Sequence, residues 1–202
     1  MRTRVLLIFC QVSFVVSLLG QGVISVRFDR EEYFLQPSSL APVVVELGTV
    51  IPEGLFSFGV RLVYDPILGG VVSEDAILVP PALDYNGAQG PGALKAIGQG
   101  FAAVKGTVDA LAFPAVYYAG SELATFNVTG LTPGDYAVGL ELYRTLGPTE
   151  SVFVSGGGVT LDSQIRFGTA ILHVVPEPAA GLLAVVGLFL TLSGWGMMRR
   201  SQ

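Results

Sequence analysis

The sequence predicts an all-β domain of β-sandwich type, and three observations point there. Short segments alternate apolar and polar residues with a period of two, clusters of Gly and Pro separate them, and no internal segment shows the apolar spacing of a soluble amphipathic helix. The two long apolar runs lie at the ends of the chain. They account for much of a composition that is 51% hydrophobic and only 13% charged over 202 residues. The chain therefore divides into residues 1–22, a body over 23–174 and a tail over 175–202. A body of roughly 150 residues buries about 70% of its unfolded surface, enough for an independent core.

Arg2 and Arg4 precede an apolar run from Val5 to Leu19, and small residues follow at Gly20 and Gly22. A basic start, a short apolar segment and small residues form the pattern of a secretory signal peptide, with signal peptidase cutting after Gly22. A retained helix is the alternative, although the run is short for a span. The single cysteine, Cys10, lies within this segment and leaves with it, so the mature body has neither a disulfide nor a thiol.

Within the body, Ile24 to Phe28 alternates as a half-buried strand, and Val43 to Leu47 is β-branched and apolar. Phe56, Phe58, Val60, Leu62 and Tyr64 share one face of the next strand. Leu123 to Val128 and Tyr136 to Leu142 alternate likewise, and Val152–Val154, Val159–Leu161 and Ala170–Val174 complete the set. Turn signals stand at 51–54, 132–135 and 156–158, and the Gly-rich stretch 86–92 reads as a loop.

Phe58-Gly59-Val60-Arg61-Leu62-Val63-Tyr64-Asp65-Pro66, followed by Ile67-Leu68, resembles the strand and Tyr-Asp-Pro turn of cohesin-type domains. Leu123 to Val128, followed by Pro133-Gly134-Asp135-Tyr136, is similar to a later strand pair of that fold. The resemblance implies a jelly-roll-like antiparallel β-sandwich, an architecture shared with several carbohydrate-binding modules.

The tail is read from its composition. No charged residue occurs from Ala179 to Met198, a stretch that as a helix would extend about 30 Å, the thickness of a bilayer core. Arg199 and Arg200 follow and, by the positive-inside rule, stay in the cytoplasm, leaving the body outside. Pro176-Glu177-Pro178 stands just before this stretch as an extended hinge. The hinge, the Gly-rich apolar span and the basic end together resemble the PEP-CTERM sorting signal of Gram-negative bacteria. That resemblance implies recognition by an exosortase, a membrane transpeptidase, with cleavage near the motif. It also implies a route from inner-membrane anchorage, with the body in the periplasm, to the cell surface or extracellular matrix.

Charge and chemistry narrow the function. The net charge is −5, but four of the eleven basic residues and only one of the sixteen acidic ones lie in the termini. The body is thus more acidic than the whole, and a nucleic-acid partner finds no basic stripe on it. His173 is the only histidine and lacks companions for a catalytic or zinc site. The adjacent pairs Glu31-Glu32 and Glu74-Asp75 point to opposite faces if they lie on strands. Asp65, Glu74 and Asp75 could offer oxygen to calcium, but no Asp-x-Asp-x-Asp spacing accompanies them. Gly98-Gln99-Gly100 lacks the Lys-Ser/Thr of a phosphate loop. The expectation is a non-catalytic adhesive or structural module without a cofactor. Tyr85, Tyr117 and Tyr118 leave open a second reading, a carbohydrate-binding module that stacks exopolysaccharide on exposed tyrosines.

Overall fold

The computed structural model describes residues 22–109 and 120–176. The alternating segments become strands because each buries one side: Val26 and Phe28 are buried in β1 (Ile24–Phe28), and Val43, Val45 and Leu47 in β3 (Leu40–Leu47). The same pattern buries Phe58, Val60 and Leu62 of β4 (Leu55–Val63), Phe126 and Val128 of β9 (Ser121–Gly130), and Val138 and Leu140 of β10 (Gly134–Leu142). Two sheets face each other across these side chains, as the sandwich expectation requires. Among the described residues, helical structure is confined to 3-10 turns.

One sheet runs β12 (Ile165–Phe167), β1, β3, β9 and β5 (Gly69–Gly70), with β6 (Ile77–Leu78) also on β9. The other runs β2 (Glu32–Leu35), β13 (Thr169–Val174), β10, β4, β8 (Phe101–Thr107) and β7 (Leu94–Gly98), with β11 (Val154–Ser155) on the early part of β4.

The pairing is not antiparallel throughout. β1 pairs in parallel with β12, and β2 pairs in parallel with β13. The cause is that both chain segments change sheets side by side and in the same direction. β1 leaves one sheet near Asp29 and re-enters the other as β2, while β12 passes through Gly168 into β13. At the crossing, Gly168 N–H donates to Val26 O at 2.9 Å and Ile171 N–H to Glu31 O at 2.9 Å. Tyr33 Oη donates to Asp29 Oδ1 at 2.5 Å. Burial alone would raise the Asp29 carboxyl, but the hydrogen bonds from Tyr33 and Arg30 hold it below its ordinary range.

Parallel pairing also sets where the chain enters and leaves. Ile24 is level with Ile165, and Val174 with Leu35. Gly22 therefore lies at one pole of the sandwich and Pro176 at the opposite pole.

Several strands lie outside the sequence expectation. β7 and β8 are rich in Ala, Gly and Lys, residues of low β propensity, and form because β4 supplies a ladder from Ser57 to Val63 for β8 to pair with. Two expected strands are shortened. Val152 and Phe153 donate their N–H groups to Asp162 Oδ1, at 3.1 and 2.7 Å, so the ladder with β4 holds only Val154 and Ser155. Val159 to Leu161 forms a single bridge, Val154 with Thr160, rather than a strand.

The Tyr64-Asp65-Pro66 turn is built as a unit. Asp65 Oδ1 caps the 3-10 turn Pro66–Leu68 by accepting from Ile67 N–H at 2.9 Å, and Tyr64 Oη accepts from Val71 N–H at 3.2 Å. Gly70 has φ +80° and lies against the Tyr64 ring, where a Cβ would come within 2.1 Å of a ring carbon. Gly70→Ala is expected to cost about 2–4 kcal/mol, from left-handed backbone strain and overpacking together. Gly139→Ala, where a Cβ would meet nothing within 4 Å, serves as the control and is expected to change stability by under about 0.5 kcal/mol. Urea unfolding of both variants measures the difference, and equal midpoints would mean that the Tyr64–Gly70 contact does not shape the fold.

Candidate binding face

The sorting residues read from the sequence fall at the edges of the described structure. Gly22 and Pro176 are both exposed, at opposite poles. Gly20, Glu177, Pro178, Arg199, Arg200 and the apolar stretch 179–198 lie outside the described residues. Among the described residues, no helix is long and apolar enough to cross a membrane.

The outer side of the seven-stranded sheet presents a broad face. Adjacent strands place Phe34, His173 and Asp135 in one row, and Glu32, Ile171 and Ala137 in the next. A third row holds Thr169, Gly139, Val63 and Phe101, and Glu141, Arg61 and Ala103 make a fourth. The centre consists of small or β-branched residues, which makes it flat, and Ile171 is 40% exposed there.

Aromatic rings and charged side chains border this flat centre. Phe34, 68% exposed, stacks on the His173 imidazole with centroids 4.8 Å apart and planes 17° from parallel. His173 Nδ1 lies 2.7 Å from Asp135 Oδ1, and its Nε2 lies 4.0 Å from Glu32 Oε2. Arg61 pairs with Glu141 and carries its guanidinium 5.6 Å from the Phe101 ring centroid. His173 Nε2 and Arg61 Nε are shielded and lack a hydrogen-bond partner, so both keep unspent hydrogen-bonding capacity on this face. Aromatic rings and arginine around a flat, weakly charged centre are the composition of protein–protein contact surfaces.

A lobe over residues 143–164 covers the remaining part of the same side. Val152 packs where Gly59 leaves room for it, since a Cβ on Gly59 would come within 2.2 Å of a Val152 methyl, and Ser57 Oγ donates to Val152 O at 2.8 Å. Partly buried ion pairs hold the lobe in place. Arg144 Nη2 pairs with Asp162 at 2.9 Å, and Arg144 Nε donates to Glu150 O at 2.9 Å. Glu150, whose side chain is 7% exposed, pairs with Lys105 and accepts from the N–H groups of Thr145 and Leu146 at 2.5 and 2.8 Å. Burial by itself would raise this carboxyl, but the Lys105 and backbone hydrogen bonds outweigh it and bring the pKa down to about 2.

Between this lobe and the β3–β4 loop, at the Gly22 pole, lies a cleft of about 350 Å³ lined by Val50, Ile51, Glu53, Ser155 and Leu161 among others. Its one carboxylate, Glu53, accepts from Ser155 Oγ at 3.0 Å. The cleft holds no second acid or base positioned for general acid–base chemistry.

The other residues singled out in the sequence do not converge. Glu31 and Glu32 are exposed beside the sheet crossing, and Glu74 and Asp75 lie exposed on a 3-10 turn. The Asp65 carboxylate is engaged as a cap. Among the described residues no group of three His, Cys, Asp or Glu side chains could hold a metal ion. Of the described tyrosines, Tyr33, Tyr64 and Tyr136 are buried, while Tyr85 and Tyr143 are half-buried, so they form no stacking row. Tyr117 and Tyr118 lie outside the described residues. The exposed aromatic on the sheet is Phe34. Sequence reading missed it because Glu32–Leu35 is only four residues long and begins within the acidic pair Glu31-Glu32.

No protein-family model and no curated protein matches the chain. Solved structures do match it, cohesins among them. One is a cohesin from Clostridium thermocellum solved in a type I cohesin–dockerin complex, with 12% identity, a TM-score of 0.55, and coverage of 76% of this chain and all of that one. Another is a Clostridium acetobutylicum cohesin in solution, at 13% identity and TM-score 0.54, covering 78% and 94%. A third, the sixth cohesin of scaffoldin B from Acetivibrio cellulolyticus in complex with a dockerin, gives 13%, 0.52, 77% and 100%. The chain has the all-β, two-sheet fold of these cohesins.

Glu150 makes lobe stability depend on pH. Its carboxyl is depressed in the folded state, so its contribution is present above the ordinary carboxylate value of 4.5 and is lost as the pH falls towards about 2. Glu150→Gln is expected to lower Tm at neutral pH and to flatten the fall of Tm between pH 4.5 and 2. Thermal melts across that window measure it, and an unchanged slope would remove Glu150 from the acid response.

Proposed function

We propose that the chain is an exported, non-catalytic protein of the cell surface or extracellular matrix, whose sandwich is an adhesive or structural module that binds other proteins. The observation that carries this reading is the outer side of the seven-stranded sheet. Ile171 and Phe34 stand exposed on it beside the Arg61–Phe101 pair, while the cleft at the Gly22 pole has a single carboxylate and no partnering base. The fold is consistent with it, since cohesins of the same architecture have been solved bound to dockerins. The partner proposed here is a surface or matrix protein.

Export and sorting belong to the same proposal. Signal peptidase removes residues 1–22 after Gly22, and the apolar stretch 179–198 holds the body outside the inner membrane with Arg199 and Arg200 in the cytoplasm. An exosortase then recognises Pro176-Glu177-Pro178. The exposure of both Gly22 and Pro176 suits cleavage next to each.

Ile171→Asp combined with Phe34→Ser is expected to weaken binding to a captured surface protein by at least about tenfold, the loss typical of removing an interface hot spot. Both positions are exposed, so unfolding curves should stay close to the parent. Arrays of surface proteins and matrix polysaccharides measure the loss, and retention on polysaccharide alone would transfer the module to the carbohydrate-binding class. Mass spectrometry of secreted protein should find a C-terminus near Pro178. An intact Gln202 on that material would refute processing at the motif.

A further inference from the structure

The pole from which the chain continues into its tail differs from the rest of the surface. Among the large apolar side chains exposed there are Leu40 at 63%, Ile67 at 62%, Leu131 at 59% and Val175 at 47%. Backbone contacts bring their segments together. Leu131 N–H donates to Leu68 O at 2.7 Å, Ser38 N–H to Gly130 O at 2.7 Å, and Val175 N–H to Leu35 O at 2.9 Å. Gly130 also packs against Val174, and Leu40 is level with Thr129.

The segments that form this pole, 34–40, 64–72, 98–101, 129–135 and 175–176, contain no lysine or arginine, and their only charged residues are Asp65 and Asp135. Both are already engaged, Asp65 with Ile67 N–H and Asp135 with His173. The surface is therefore largely apolar, with two carboxylates and no cation. It does not suit an anionic partner held by charge.

We propose that this pole rests in the interfacial layer of the bilayer that the tail enters, with Ile67 and Leu131 reaching past the headgroups. The inference depends on the tail acting as a membrane anchor, as proposed above. Chain length supplies the argument. Three residues, Pro176 to Pro178, lie between Val175 and Ala179, the first residue of the uncharged stretch, so the tether is four residue steps long. At about 3.1 Å per residue for an extended Pro-rich segment, the tether spans about 12 Å. A headgroup layer is about 5–8 Å thick on each side of the hydrocarbon. The pole is thus held next to the lipid, and its exposed apolar side chains gain by leaving water there. The Gly22 pole and its cleft point away from the membrane.

The test places a single tryptophan at chosen positions of the full chain in phosphatidylcholine vesicles, with and without bromine on the acyl chains as quencher. Trp195, the only native tryptophan, reports the anchor in the parent and is replaced by Trp195→Phe in the single-tryptophan variants. Leu131→Trp and Ile67→Trp are expected to lose emission to brominated lipid, whereas Val50→Trp, at the opposite pole, keeps its emission. If Trp195 is quenched but the tryptophans at 131 and 67 are not, the docking inference falls and the anchor reading stands. If Trp195 is not quenched, both fall. Quenching of all three introduced tryptophans would mean that the domain has no fixed pole on the lipid, which also overturns the inference. A blue shift at 131 that grows with protein density and ignores bromine would assign the surface to a second copy of the chain instead.

Discussion

The parallel pairing of β1–β2 with β12–β13 is the constraint on which the rest of the molecule depends. Each segment belongs to both sheets, so the two sheets are tied along one edge by continuous chain rather than by side-chain contact alone. The crossing is hydrogen-bonded through Gly168 to Val26 O and through Ile171 to Glu31 O. It leaves β2 and β12 as the outermost strands of their sheets, each paired along its inner side. Closing the sandwich with first and last strands is a long-range contact, and its loop-closure entropy must be offset by the burial it completes, including Val26, Leu35, Leu172 and Val174.

The same pairing gives the domain its polarity. Antiparallel first and last strands would bring the two ends of the body together, whereas the parallel arrangement puts Gly22 and Pro176 a full sandwich length apart. The two ends then differ in character. The Gly22 pole carries the charged, hydrogen-bonded lobe and the cleft, while the Pro176 pole carries exposed apolar side chains and no lysine or arginine. The sheet face between them is flat because Ala137, Gly139 and Thr169 occupy its middle, and aromatic rings are confined to its borders. A module held at one pole would leave both the cleft and much of this face open to the surroundings.

Partly buried ion pairs in this protein place the lobe. Arg144, Glu150, Lys105 and Asp162 saturate one another and the backbone of residues 145–153, and this lets a lobe with little regular structure lie on the sheet. Asp162 illustrates the competition involved. By taking the N–H groups of Val152 and Phe153 it withdraws them from the ladder with β4, so a segment that reads as a strand becomes a strap. No local pattern announces this, because the partner that decides it lies nine residues away and approaches only once the turn at 156–158 has closed.

The sequence by itself determined the fold class, the β1, β3, β4, β9, β10 and β13 strands and the Tyr64-Asp65-Pro66 turn. These are local matters: a period of two buries one side of a strand, and Gly, Pro and Asp encode turns through their own dihedral preferences and short side chains. The tertiary structure alone decided the β7–β8 hairpin, whose Ala- and Gly-rich strands follow β4 rather than their own propensity. It alone decided the parallel edge, because strand direction depends on which distant segment lies alongside. The outer face was hidden for the same reason. Phe34, His173 and Asp135 are 38 or more residues apart in part of the row they share, and only the register of three strands makes them neighbours.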